Sequence, residues 1–414
     1  MKKRIFSYIE NAEALAVELE TELCRRPAIS PDSGGTGEGD KAEFLTAWLG
    51  GRGFDTIERY DAPDPRAKGG VRPSLVLTIP GNNKDGSRLW IMSHLDVVPP
   101  GEAKLWNSDP WTVIKDDGPP GPRLIGRGVE DNQQGLVSSV LAALALAAAG
   151  VKPERTVKLL FVADEENGSG YGIVWLMKNH RELFHKDDLV LIPDGGDSRG
   201  ETIEIAEKNQ IWGKFTTQGK QSHGSRPDLG KNAHLAGADL ALNLHYGLAE
   251  KFGETDPLFE SDHSTFEPTK KDANVPNINT IPGSDVFYMD MRILPRYPVS
   301  AVNGEIKRII SEIEKKHGVT VEYEAVQSNE SKPTSADSPL VAQISRAAGE
   351  VYGVKTRPVG IGGGTVGAFL RNEGIDSAVW GRMDDTAHQP NEYALIANIL
   401  GDAKVMTLLM LEKG

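Results

Sequence analysis

The sequence predicts an α/β protein in which a mostly parallel sheet flanked by helices is interrupted by a smaller inserted α+β domain. Three observations carry this reading. Short apolar runs closed by Gly, Pro or acids alternate with helical patterns in the first part of the chain. The pattern then changes to strands that alternate residue by residue around two long amphipathic helices, and afterwards the βα alternation returns.

Taken in order, "PSLVLTIPG", "RLWIMSHLD", "TVKLLFVADEE" and "LVLIPDGG" read as buried strands, because each is too short for a helix and nearly continuous in apolar residues. Between them, "DKAEFLTAWLGG", "NQQGLVSSVLAALALAAAG" and "GYGIVWLMKNHREL" have helical periodicity. After "ETIEIAEKNQ" come the alternating strand "IWGKFTTQGKQ", the helix "NAHLAGADLALNLHYGLAEKF", then "NINTIP", "SDVFYMDMRILP", "AVNGEIKRIISEIEKKHG" and "TVEYEAVQS". A helix "SPLVAQISRAAGEVYG", a loop "GIGGGT", a helix "VGAFLRNEG", a strand "DSAVWG" and a helix "NEYALIANILGDAKVMTLLMLEK" complete the pattern. The simplest organisation is a catalytic domain made of residues 1–209 and 326–414, with residues 210–325 inserted.

Composition narrows the partners. With 46 Lys plus Arg against 59 Asp plus Glu, the formal charge is −13 and no long basic run occurs, which argues against nucleic acid. The first twenty residues lack an apolar stretch of signal-peptide length, and the run from Leu136 is too short and too rich in small residues to span a bilayer. A cytoplasmic protein without a membrane partner is expected. Cys24 is the single cysteine, so any metal must be held by His, Asp and Glu.

Ligands of open α/β sheets bind beyond the carboxyl ends of the strands. His94 and Asp96 close one strand, Asp164, Glu165 and Glu166 another, and Asp194 a third; Asp131 precedes a helix and His388 follows "DSAVWG". Singly, each has an ordinary account: a hydrogen-bonded His-x-Asp pair, a solvated capping turn, a helix N-cap, a loop histidine. Together they converge on one sheet edge, where several carboxylates are costly unless a cation neutralises them. His94, Asp131, Glu166, Asp194 and His388 exceed the needs of one tetrahedral ion, so two divalent ions sharing a carboxylate are expected. The donors suit zinc, with cobalt, manganese or nickel also compatible. Asp96 is placed to accept the other imidazole N–H of His94.

"SHLDVVP", "GRGVEDNQQG", "DEENGSG", "PDGG", "GKQSHGSRP", "NTIP…MDMR", "GGGT" and "AHQPNE" occur in an order and spacing that resembles the metallohydrolase family of acetylornithine deacetylase, succinyl-diaminopimelate desuccinylase, aminoacylase and glutamate carboxypeptidase, over nearly the whole chain. The resemblance implies a co-catalytic di-zinc centre, with the insert acting as a lid and as the interface of a homodimer. It implies that Asp131 bridges, that His94 and Asp194 complete one site and Glu166 and His388 the other, and that the bond after Asp131 is cis. Glu165 matches the general acid/base. His223 matches a lid histidine that steadies the oxyanion, from its own subunit or the partner's. Family substrates mostly carry a free carboxylate, which Arg292 would grip with help from Asn279, while Gly364 and Thr365 bring the Gly-rich loop against the substrate. From the residues alone, Arg292 reads equally well as a strand arginine paired with an acid.

Two stretches depart from the family pattern. Gln133 stands where many relatives have lysine, and Val366 and Gly367 follow "GGT" where many have polar residues. Neither is an expected ligand, so they bear on substrate choice. Cleavage of N-acyl amino acids, as in the deacetylases and desuccinylases, is expected before dipeptidase or carboxypeptidase action. A non-catalytic metal-binding dimer is the competing class, and it would have lost a ligand or the base.

Overall fold

The computed structural model describes residues 1–83 and 86–412. The chain divides into two compact units, one of Met1–Ile205, Thr334–Pro358 and Phe369–Gly414, the other of Ala206–Pro333 and Val359–Ala368. The stretch carrying the Gly-rich loop thus groups with the second unit.

The large sheet has eight strands in the order Ile57–Pro63, Val71–Ile79, Val157–Val162, Leu89–His94, Leu189–Ile192, Asp376–Val379, Thr202–Glu207 and Arg357–Ile361. Val157–Val162, Leu89–His94, Leu189–Ile192 and Asp376–Val379 run parallel, which is the predicted α/β arrangement. The strands on either side of this group pair antiparallel to it. Leu89–His94 and Leu189–Ile192 are buried at every residue, the physical reason that they read as unbroken apolar runs. Ile57–Pro63 was not legible: as an edge strand it is mostly polar and exposed. Arg357–Ile361 contains both Pro and Gly, so its sequence lacks a strand pattern as well.

Helix Gly135–Ala149 is buried at every residue from Gly135 to Leu146. Counted with the turn before it, the run Val129–Ala149 is 21 residues and by length and composition long enough to cross a membrane, contrary to the shorter span read from the sequence. However, 83% of its apolar window is buried inside the protein. Its small residues allow close contact with helix Ile396–Leu411, where Ser138 Oγ donates to the Ile399 carbonyl at 3.0 Å. That second helix begins later than its pattern suggests. Tyr393–Leu395 is a strand because its main chain pairs with Arg123–Ile125, and the expected end at Lys413 lies outside the described residues.

The second unit has an antiparallel sheet in the order Thr265–Lys271, Ser284–Ile293, Asn209–Gln218 and Thr320–Asn329. Ser284–Ile293 alternates between buried and less buried residues, and its buried side joins one apolar cluster with helices Ala233–Lys251 and Val299–His317. Phe215 is stacked between Phe287 and Tyr323, each ring 4.9 Å away. Thr265–Lys271 was missed because it is an exposed edge strand with Pro268 at a shift in register.

Candidate metal centre

The first unit brings His94, Asp131, Glu165, Glu166, Asp194 and His388 to the carboxyl edge of its sheet. Asp131 lies at the middle. Its Oδ1 is 2.8 Å from His94 Nε2, and its Oδ2 is 3.0 Å from His388 Nε2. Asp194 approaches His94 Nε2 at 3.6 Å, and Glu166 Oε2 lies 3.0 Å from His388 Nε2. Ligand atoms of His94, Asp131 and Glu166 all lie within 4.8 Å of one another, as do those of His94, Glu165 and Asp194.

Local structure explains each position. Asp131 sits in the turn Val129–Gln134 with an extended backbone (φ −111°, ψ 97°), and the Asp131–Asn132 peptide bond is cis. Gly128 enters that turn at φ 85°, where a Cβ would come within 2.6 Å of Val97 Cγ1. Asn132 donates to the Pro193 carbonyl at 2.6 Å and to Asp194 Oδ1 at 2.7 Å, linking the turn to the strand end that carries Asp194. Gly135 starts the following helix so close to Pro193 that a Cβ there would meet its carbonyl oxygen at 2.4 Å.

The acid triplet separates by direction. Asp164 takes φ 60°, a left-handed conformation that Asp tolerates better than most residues, and points into the protein. There Arg72 lies fully buried between Asp164, at 2.9 Å, and Glu38, at 2.8 Å from the guanidinium Nε. Glu38 also accepts the Asp164 N–H at 3.2 Å. Glu165 and Glu166 then face the sheet edge, and both of their N–H groups donate to the Asp96 carboxylate, at 3.0 and 3.1 Å. The role expected of Asp96 is therefore divided. Its main-chain carbonyl is the atom that meets His94 Nδ1 at 2.9 Å, while its carboxylate stands 3.6 Å away and holds the loop of the acid pair. Among the described residues, the non-glycine residues at positive φ are Asp164, Ser169, Asp385, His388 and Asn391, all beside the acid triplet or His388.

Electrostatics shows what this arrangement requires. Burial and the negative charge of Asp194 hold the Glu165 carboxyl well above its usual range. Burial would raise Asp131 too, but hydrogen bonds to His388 and His94 draw it below the carboxylate range. Hydrogen bonds to Asp131 and Glu166 push His388 up to about 10. His94 Nδ1 meets a carbonyl and its Nε2 faces two carboxylates; although burial disfavours its charge, Asp194 and Asp131 hold the imidazole well above its usual range, so the contact needs either a proton or a metal cation between that nitrogen and the acids. Glu166 Oε1 is buried and has no hydrogen-bond partner. An orphaned carboxylate oxygen and imidazole nitrogens aimed at carboxylates both fit a site for divalent cations. Cys24 takes no part; it is buried, and its thiol meets the Pro110 carbonyl at 3.3 Å.

The remaining expected residues belong to the second unit. His223 is exposed on the short strand Ser222–His223, which pairs with Thr280–Ile281. Its Nδ1 meets Ser225 Oγ at 2.8 Å, and the neighbouring Gly224 N–H donates to the Asn279 carbonyl at 2.7 Å. Arg292 forms a bidentate pair with Asp290, at 2.7 and 3.0 Å, and donates to the Gly362 carbonyl at 3.0 Å. This is the strand ion pair rather than an open guanidinium. Thr365 donates its hydroxyl to the buried Glu207. A Cβ at Gly362 or Gly364 would meet nothing within 4 Å, so packing does not demand glycine at either position.

Comparison with known proteins identifies the family. The sequence profile of Peptidase family M20/M25/M40 matches residues 90–412. An uncharacterized metallohydrolase of Methanocaldococcus jannaschii is 38% identical over 94% of this chain and 97% of its own. The succinyl-diaminopimelate desuccinylase of Bordetella petrii is 26% identical over 94% and 95% of the two chains. Among solved structures, aminopeptidase PepT from Bacillus cereus superposes with a TM-score of 0.75 at 18% identity, covering 96% of this chain and 98% of that one. The Bacillus subtilis YXEP protein, described as a dinuclear metal binding peptidase, superposes with a TM-score of 0.65 at 16% identity over 98% and 100%. The chain belongs to Peptidase family M20/M25/M40 and is a metallohydrolase of that family.

Proposed function

We propose that the protein is a two-metal amidohydrolase that cleaves the amide bond of N-acyl amino acids. The observation that carries this reading is the central Asp131, one oxygen facing each imidazole, beside the partnerless buried oxygen of Glu166. In this reading His94, Asp131 and Asp194 would hold one ion and Asp131, Glu166 and His388 the other, with zinc the first choice and cobalt or manganese as substitutes. Bound ions of this kind acidify a water and polarise a carbonyl. Glu165 takes a proton from the attacking water and returns it to the leaving amine. His223 supplies a donor to the oxyanion.

The deacylase form draws support from similarity to a desuccinylase along nearly the full length of both chains. Likeness of fold to an aminopeptidase favours peptide substrates as the second reading. A free substrate carboxylate is expected to lie against the Gly362–Gly364 main chain, where open space supports close approach. A homodimer through the second unit is supported by helix Ala233–Lys251, which exposes Leu235 (58%), Leu242 (55%) and Tyr246 (66%) along one side.

A panel of N-acetyl and N-succinyl amino acids and dipeptides, assayed with zinc, cobalt or manganese and with a chelator, tests the reaction class. Turnover of the acyl amino acids, abolished by chelation and restored by metal, is expected; turnover of dipeptides alone would move the assignment to the second reading. Glu165→Gln should keep its metal and lose roughly 100-fold or more in kcat, and wild-type kcat in that variant would refute the proton transfer. His223→Ala should lower kcat with metal content unchanged. Metal loss at constant activity per bound ion would make that histidine structural instead. Sedimentation equilibrium should return twice the 44.9 kDa chain mass, and a single-chain mass would exclude the dimer.

A further inference from the structure

We propose that Glu392 and Glu130 are positioning residues, a crossed pair of buried carboxylates that fixes Asp131 against His388 before metal arrives. The proposal rests on the assignment of those two residues as metal ligands, and it adds residues that the chemistry itself does not use.

Glu392 is fully buried four residues after His388. Its Oε1 accepts the main-chain N–H of Glu130 at 2.9 Å and that of Asp131 itself at 3.0 Å. Its Oε2 accepts Gly128 N–H at 3.0 Å and the Arg127 guanidinium at 2.6 Å. Four donors thus converge on one carboxylate, and Gly126 N–H adds a bond to its main-chain carbonyl at 3.0 Å. The turn bearing Asp131 is hung on a side chain 261 positions away in sequence.

The tie is returned in the opposite direction. Glu130, buried beside Asp131, accepts Asp384 N–H at 2.7 Å through Oε1, and the N–H and hydroxyl of Thr386 through Oε2. Each stretch that carries a ligand therefore supplies the acceptor for the other's main chain. An N–H held by a charged acceptor is worth more than one held by a neutral carbonyl, and two such links across one gap restrict both translation and tilt. The outcome is visible in the 3.0 Å separation of Asp131 Oδ2 and His388 Nε2, although both side chains belong to irregular segments and His388 is largely exposed. Were either carboxylate turned elsewhere, the main-chain N–H groups it accepts in the other stretch would lose that acceptor. Reciprocity between two ligand-bearing stretches is what assigns a positioning role.

The test titrates cobalt into the chelated full-length protein and its Glu392→Gln variant, reading affinity by calorimetry and ligand geometry from the visible cobalt spectrum. Gln keeps the shape but replaces one acceptor oxygen with an N–H group. The variant is expected to bind cobalt roughly 10- to 100-fold more weakly, the range for loss of a group that orients a ligand, with an altered spectrum. Should Glu392→Gln not fold, Glu130→Gln carries the same expectation, since it leaves the four bonds to Glu392 in place and loosens the His388 stretch alone. Wild-type affinity and spectrum in the folded variants would overturn the positioning role. Absence of cobalt binding by the wild-type chain would instead remove the metal assignment on which it rests.

Discussion

Repulsion among Asp131, Glu165, Glu166 and Asp194 is the constraint around which the centre is built. At an effective dielectric constant of about 20, two like charges about 4 Å apart cost about 4 kcal/mol. Several such pairs together rival the roughly 5–15 kcal/mol by which a typical domain is stable. Folded without compensation, these carboxylates would take up protons; the positions of His94 and His388 between them, and the raised carboxyl of Glu165, are consequences of that pressure.

The fold answers by dividing its acids into two classes. Glu38, Asp164 and Glu392 are buried and meet arginine side chains, Arg72 or Arg127. The four acids of the centre pair with no Lys or Arg among the described residues; their charged partners are the imidazoles of His94 and His388, and Asp194 also accepts the Asn132 amide at 2.7 Å. A guanidinium within the centre would have neutralised the charge that attracts a divalent ion. Placed beneath it, the same group aims the loops and leaves the negative potential open. Asp96 follows this rule, spending its carboxylate on the N–H groups of Glu165 and Glu166 instead of on the imidazole.

The clustering of the candidate ligands was legible because each terminates a recognisable strand or precedes a recognisable helix, and the strands are continuous apolar runs. What escaped is what acts through tertiary pairing. Glu38 lies in a helix start and Arg72 in a strand, with nothing in either neighbourhood to announce a buried ion network. Glu392 enters the sequence only as the last residue of "AHQPNE", since its partners lie at Arg127 to Asp131 and no local pattern encodes a contact across so much chain. Ile57–Pro63 and Thr265–Lys271 were lost for the converse reason: edge strands need no apolar run, because one side of their main chain and much of their surface face solvent.

Arg292 shows how the same residue pattern can support two roles. Sequence offers a free guanidinium for a substrate carboxylate or an ion pair within the strand, and the structure has the pair, with Nε and one terminal nitrogen on Asp290 and the other on Gly362. A substrate carboxylate seeking both arms of the fork would have to displace Asp290, exchanging one carboxylate for another with little net gain. The contact to Gly362 gives Arg292 a different influence: it anchors the start of a glycine run in which a Cβ at Gly362 or Gly364 would meet nothing within 4 Å and one at Gly363 only Ile361 Cδ1 at 4.0 Å, and whose residues are not at positive φ. Glycine there serves neither packing nor a left-handed turn. In the reading proposed above, the ligand is met by main-chain N–H groups of this loop, and Arg292 sets where they stand.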